Sequence, residues 1–226
     1  MDRPEPADPA EGGASVQKIL FRTASFMVLL GYATVPAQRQ DGPRIPYVSE
    51  PPDDPALAKN FSDIRAAGLR VSNMFRVTAN SPQMGLAMGA FARSIAAAAK
   101  VPRKYLEMSL IRTAQIEGGQ YVYAHNLPAA KSCGVSQAQI DALPHWRSSK
   151  MFDEKDRAVL AYADAMTHNA GPDEGTFQTL LSFFTPQEVL QITMANAFYT
   201  MEARYGTAMR IPIEKELDTE KVTGGC

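Results

Sequence analysis

Three histidines, two cysteines and a scatter of carboxylates are the side chains of this 226-residue sequence best suited to chemistry. His125 stands out among them. It lies in Tyr121-Val-Tyr-Ala-His125-Asn126, just after the pair Gly118-Gly119, beyond an apolar helical stretch that carries Glu107. An imidazole held by a carboxylate can move a proton near neutral pH, because the acid orients the ring and tunes its pKa. Two readings of His125 stand side by side: a proton-transfer group, or a core histidine with a satisfied hydrogen bond. Glu107 is equally open. It is either a solvated acid favoured by the helix dipole or a carboxylate turned into a pocket to hold the ring. The glycine pair should break the helix and fold the second segment back beside the first. His145, in Pro144-His145-Trp146, reads as a surface or packing residue, and His168 as a helix-end residue facing the dipole.

The elements that position these groups follow from cap and periodicity signals. Asp54-Pro55 and Ser81-Pro82 each pair a capping side chain with a proline at the first helical position. Pro102 opens another helix, with Leu106, Leu110 and Ala114 on one stripe. Tyr121 to Lys131 reads as helical and ends at Cys133-Gly134. Ser136 with Gln139, and Thr185 with Glu188, have the spacing of capping boxes. Asp153 to His168 is amphipathic, a helix is expected over Glu174 to Phe184, and the last runs to about Tyr205. No alternating strand run, phosphate loop, dinucleotide fingerprint or nucleophile elbow occurs. The expected fold class is all-α, a bundle of about seven or eight helices.

Composition narrows the function classes. Lys+Arg is 23 and Asp+Glu 24, so neither a nucleic-acid surface nor an acidic tail is indicated. Two cysteines exclude a multi-disulfide scaffold and an all-cysteine zinc site within the chain. Residues 1–15 are acidic and Pro-rich and read as disordered. The following basic, then apolar, then small-residue segment to residue 37 reads as a signal peptide, too short for a stable membrane span. A start at Val16 would give that leader its usual form; an ordinary N-terminal helix is the alternative. The expected location is therefore periplasmic or secreted, with cytoplasmic as the alternative. Residues 38–53 read as a Pro-rich extended arm, 54–212 as the helical domain and 213–226 as a flexible tail. Export would permit Cys133 and Cys226 to pair; their positions, a helix end and a loose tail, favour two unpaired thiols.

The stretch from about Arg44 to Leu143 resembles the carboxymuconolactone decarboxylase family, which includes the AhpD-type alkylhydroperoxidases. The residues that carry the resemblance are Arg44-Ile-Pro-Tyr47, Val71 through Pro82, Pro102 through Glu107, Ile111 through Gln115, and Tyr121 through Ala130 with Cys133-Gly-Val-Ser136. Glu107 looks like the family's characteristic glutamate. The segment around His125 looks like its active-site helix. The positions that match the peroxidase branch's Cys-x-x-Cys pair are Gly119 and Val122, so the thiol mechanism is absent. The usual histidine position is Asn126, one residue after His125, a turn of about 100° around a helix.

The resemblance implies an AhpD-like bundle and a carbon–carbon lyase or isomerase acting on a small carboxylated lactone or cyclic acid. It implies His125 as proton donor and Glu107 as the acid that orients it. Tyr121, Tyr123 and Asn126 would bind substrate oxygens, and Arg112 would face a substrate carboxylate or form a surface salt bridge. No metal or organic cofactor, and no nucleic-acid partner, is expected. Homo-oligomers, trimers or hexamers, are implied. Tyr199, Glu202 and Arg204 are candidates for the pocket or a subunit contact. A non-catalytic ligand-binding member is the alternative function, and alkylhydroperoxidase the least favoured.

Overall fold

Side-chain caps set most of the helix starts. The computed structural model describes residues 42–97, 100–215, 217 and 226. Among them the chain forms nine α-helices and no strand: α1 Pro55–Ala66, α2 Asn73–Thr78, α3 Pro82–Ala97, α4 Arg103–Glu117, α5 Gln120–Ser132, α6 Gln137–Ala142, α7 Glu154–His168, α8 Glu174–Phe183 and α9 Pro186–Met209. A single 3-10 turn, Leu143–His145, follows α6. Asp54 caps α1 by accepting the Leu57 N–H, and both capping boxes form, at Ser136/Gln139 and at Thr185/Glu188. The all-α expectation holds. The extra short helix is α2, six residues capped by Ser72, too brief to give a period of its own.

The core is organised on α4, which packs against α5, α7 and α9. Leu106, Met108, Leu110 and Ile111 are almost fully buried on it. Each such side chain contributes about 1.5–3 kcal/mol of burial free energy. Buried around most of its circumference, α4 also hides polar groups, and among them the Ser109 and Thr113 hydroxyls are paired as burial demands. Thr113 Oγ1 donates to Asn196 Oδ1 at 2.8 Å, and Asn196 Nδ2 donates to the Ile192 carbonyl at 2.8 Å. The main apolar cluster runs from Met108 and Ile111 through Val159, Leu160, Leu180 and Ile192 to Trp146. Asp164 accepts from Trp146 Nε1 at 3.0 Å and from Arg112 Nε at 2.7 Å, which ties α7 to α4 and the 146 turn.

Past α9 the chain turns at Arg210 in the left-handed region (φ 53°) and returns across α2 and α5. Ile211 packs with Met74, Val77 and Tyr121, and Asn73 Nδ2 donates to the Pro212 carbonyl at 2.9 Å. Among the described residues no helix is long and apolar enough to cross a membrane. The leader expected over residues 1–37 lies outside the described residues.

Candidate active site

Gly118 closes α4 in the left-handed conformation (φ 64°), which the absence of a Cβ makes cheap. Gly119 then opens α5 against α9. A Cβ there would lie 2.5 Å from Ala203 Cβ and 3.1 Å from Ala203 Cα. The position that matches a family thiol is thus filled by another helix. Val122, the second such position, is buried against Ala114 and Ala203.

One turn apart on α5, Tyr121 and His125 point the same way. Their rings stack with centroids 4.3 Å apart and planes 26° apart. His125 Nε2 lies 2.6 Å from Glu214 Oε2. The other carboxylate oxygen, Glu214 Oε1, accepts the Tyr121 O–H at 2.8 Å and the Asn73 N–H at 2.6 Å. The Met74 N–H in turn donates to the Tyr121 hydroxyl at 3.3 Å. Burial by itself would raise the Glu214 carboxyl; the His125 contact, the Asn73 N–H and the Tyr121 O–H outweigh it and hold the group at about 2. Burial, reinforced by the Glu214 charge, pushes the Tyr121 phenol well above its usual range, so it remains a donor. The carboxylate that orients His125 therefore comes from the segment expected to be a loose tail.

Glu107 does not fill that role. It is 0% exposed, and its Oε1 accepts from Arg103 Nε at 2.6 Å. Its Oε2 is buried without a hydrogen-bond partner. Burial raises this carboxyl, and Arg103 offsets part of the rise. The expected contact between Glu107 and the imidazole is thus replaced by one helix-internal pair, Arg103–Glu107, and one tail-to-helix pair, His125–Glu214.

These groups surround a cavity of about 490 Å³. His125, Asn126 and Tyr121 line it from α5, Arg103 from α4, Arg93 from α3, Tyr199 and Glu202 from α9, and Glu214 and Leu217 from the C-terminal segment. Asn126 Nδ2 is spent on the Val122 carbonyl at 2.8 Å, which leaves its side-chain oxygen for a ligand. Two expected substrate contacts lie elsewhere. Tyr123 packs into the apolar clusters behind α5, and Arg112 is held by Asp164 on α7. Burial is the first cause of the raised Tyr199 phenol and of the Glu202 carboxyl, which reaches about 7. Arg204 pairs with Glu117 instead of facing the cavity.

Two findings correct the reading of the tail. Cys133, the residue that ends α5, is disulfide-bonded to Cys226, where unpaired thiols were expected. Glu214 belongs to the site, although nothing in Ile213-Glu214-Lys215 carries a period or motif. Its low pKa sets a pH signature. The folded value lies below the unfolded 4.5, so the stabilisation is present above pH 4.5 and is lost as pH falls through about 2. We expect Glu214→Gln to remove about 2 kcal/mol of stability at pH 7, after discounting for solvent screening. The deficit should shrink as pH falls from 4.5 toward 2, as read by urea denaturation at each pH.

Residues 82–165 match the carboxymuconolactone decarboxylase family. No curated protein matches the chain. Solved structures share the fold at low identity. A peroxidase-related protein from Ralstonia eutropha with an alkylhydroperoxidase AhpD core is 14% identical with a TM-score of 0.66, over 77% of this chain and 94% of that one. An AhpD-type protein of unknown function from Agrobacterium tumefaciens is 23% identical with a TM-score of 0.56, over 61% of this chain and 94% of the other. A debrominase in complex with 2,3,4-tribromopyrrole is 21% identical with a TM-score of 0.63, over 76% and 91% of the two chains. At these identities the likeness is one of fold.

Proposed function

We propose that this chain, whose residues 82–165 match the carboxymuconolactone decarboxylase family, is a cofactor-free lyase or isomerase that acts on a small carboxylated lactone or related cyclic acid. The observation that carries the reading is His125, held 2.6 Å from Glu214 on the wall of a cavity that also presents Arg93 and Arg103. Decarboxylation breaks the bond from carbon to the carboxylate. Its electron pair moves into the conjugated carbonyl, carbon dioxide leaves, and an enolate remains. The His125 imidazolium returns a proton to carbon and is reprotonated from solvent. Glu214, kept ionised, stabilises that imidazolium, and the Tyr121 O–H and Asn73 N–H keep Glu214 in place. The guanidinium groups of Arg93 and Arg103 favour an anionic substrate, and Glu107 acts by fixing Arg103. The Asn126 side-chain oxygen meets a substrate hydroxyl or protonated group.

The Cys133–Cys226 bridge fits an oxidising compartment and supports the exported reading of the leader. Mass spectrometry of the mature N-terminus tests it. Exposed Met84, Leu190, Met194 and Met201 suit a homo-oligomer, trimer or hexamer.

The deciding experiment incubates wild type, His125→Ala and Glu214→Gln with a panel of carboxylated γ-lactones, following carbon dioxide release and product by NMR. We expect His125→Ala to lower turnover about 10²–10⁴-fold, the usual worth of a positioned acid–base group. Turnover that survives this substitution removes the mechanism. Binding with no turnover in wild type supports the ligand-binding alternative, which the filled thiol positions Gly119 and Val122 favour.

A further inference from the structure

The cavity holds a second carboxyl in an environment opposite to that of Glu214. Glu202 sits one turn after Tyr199 on α9, and both line the cavity that His125 lines from α5. Glu214 has three hydrogen-bond partners. Glu202 has no hydrogen bond or ion pair to any described residue, and neither of its oxygens is sealed away as Glu107 Oε2 is. Among the described residues it is an unpartnered acid on the wall of the cavity.

The surrounding charges do not supply it with a cation. From α4, Arg103 is committed to Glu107. From α5, His125 is committed to Glu214, and Tyr121 donates to the same carboxylate. From α3, Arg93 lines the cavity, as does Arg70 from the segment before α2, and neither figures among the causes that shift Glu202. On α9 itself Tyr199 and Tyr205 are phenols that both feel the Glu202 charge. A carboxyl so placed is cheapest in its neutral form, and burial alone lifts it to about 7. Two carboxyls on one cavity are thereby pushed apart, one ionised and one that holds its proton into the neutral range, the pattern that assigns opposite roles.

We propose that Glu202 is a second catalytic group of this cavity, a protonated carboxylic acid that donates its O–H to the substrate oxygen on which negative charge collects. The inference rests on the function proposed above and adds the residue that stabilises the enolate. As the carbon–carboxylate bond breaks, the electron pair ends on the lactone carbonyl oxygen. Glu202 shortens its hydrogen bond to that oxygen while His125 delivers the proton to carbon. Glu202 keeps its own proton, so the step consumes one proton, supplied by His125, and releases one carbon dioxide. Gln can replace the donor; Ala cannot.

Two measurements test this together. Carboxyl-labelled [5-¹³C]glutamate NMR of the full chain should show one resonance that titrates near pH 7 in wild type and is missing in Glu202→Gln. Calorimetric binding of 5-oxotetrahydrofuran-2-carboxylate, from pH 5 to 9, should weaken about tenfold per pH unit above 7 in wild type. The difference between wild type and Glu202→Gln isolates this dependence. For any lactone turned over, Glu202→Ala should lower kcat about 10²-fold and Glu202→Gln less than tenfold, with KM changed little in the latter. If no resonance that titrates near pH 7 is lost in Glu202→Gln, or if Glu202→Gln keeps the wild-type fall in affinity, this inference is overturned and the His125 proposal stands. If no carboxylated lactone binds or reacts, both are overturned, even with the resonance near pH 7 in place.

Discussion

Arg103→Met should cost about 3–5 kcal/mol at pH 7.5, the largest single loss of stability we expect in this protein. Glu107 is fully buried, and among the described residues Arg103 is its sole hydrogen-bond partner, through a 2.6 Å contact to one oxygen. The other oxygen already has none. Without the guanidinium a charged carboxylate would be stranded in the core, so the group must take up a proton or the fold must open. The direction with pH follows. The folded pKa of Glu107 is raised above the unfolded 4.5, chiefly by burial, and loss of Arg103 raises it further. Below pH 4.5 both states are protonated and this group costs nothing. Above it the unfolded chain ionises in both proteins, so the deficit of Arg103→Met opens as pH passes the folded pKa of wild type and levels off beyond the higher one of the variant. Urea denaturation at pH 5 and pH 8 should separate wild type from the variant far more at the higher value. Adding Glu107→Gln to Arg103→Met should recover much of the loss and flatten the dependence. A variant that stays as stable as wild type at pH 8 would show that Glu107 is protonated without help from Arg103.

Gly119→Cys should destabilise the chain by about 1–3 kcal/mol or more, for a steric reason that has nothing to do with sulfur. The backbone at Gly119 has φ −77°, which any residue adopts. The obstacle is Ala203, whose Cβ would lie 2.5 Å from the new Cβ and whose Cα would lie 3.1 Å away. Backbone cannot swing aside as a long side chain can, so α5 and α9 must separate. That movement would also disturb the cavity, since His125 belongs to α5 and Glu202 to α9. Ala203→Gly in the same chain should remove the 2.5 Å contact and leave only the tight 3.1 Å approach to the backbone, at about 1 kcal/mol for a helix-interior glycine. The pair should therefore be strongly non-additive in a double-mutant cycle. Additive effects would mean that the two helices do not meet at this point. Placing a thiol at position 119 thus requires a change on α9, far away in the sequence.

Local chemistry made much of the molecule readable. Asp54, Ser136 and Thr185 announce helix starts because a side-chain oxygen beside an orphan N–H is a contact between near neighbours. The break at Gly118-Gly119 is legible for the same reason, and it places Tyr121, His125 and Asn126 together on the first turns of α5. Glu107 is visible as an acid in apolar company, but its partner is not. A carboxylate in a helix has neighbours one turn away on both sides, and Arg103 and the more distant imidazole are equally available on paper. The chain settles on the partner four residues back.

The all-helical class, the absence of a thiol pair and the location of one imidazole on a helix beginning at a double glycine are decided by the amino-acid order alone, because each depends on residues within a few positions of one another. The identity of the acid that holds that imidazole was decided only in three dimensions. Glu214 reaches His125 because the segment after α9 turns at Arg210 and runs back over α2 and α5. The Cys133–Cys226 bond and the placement of Glu202 on the cavity wall belong to the same category. Contacts across such separations cost chain entropy that no local pattern records, and they form only when the packed core has already placed their ends together.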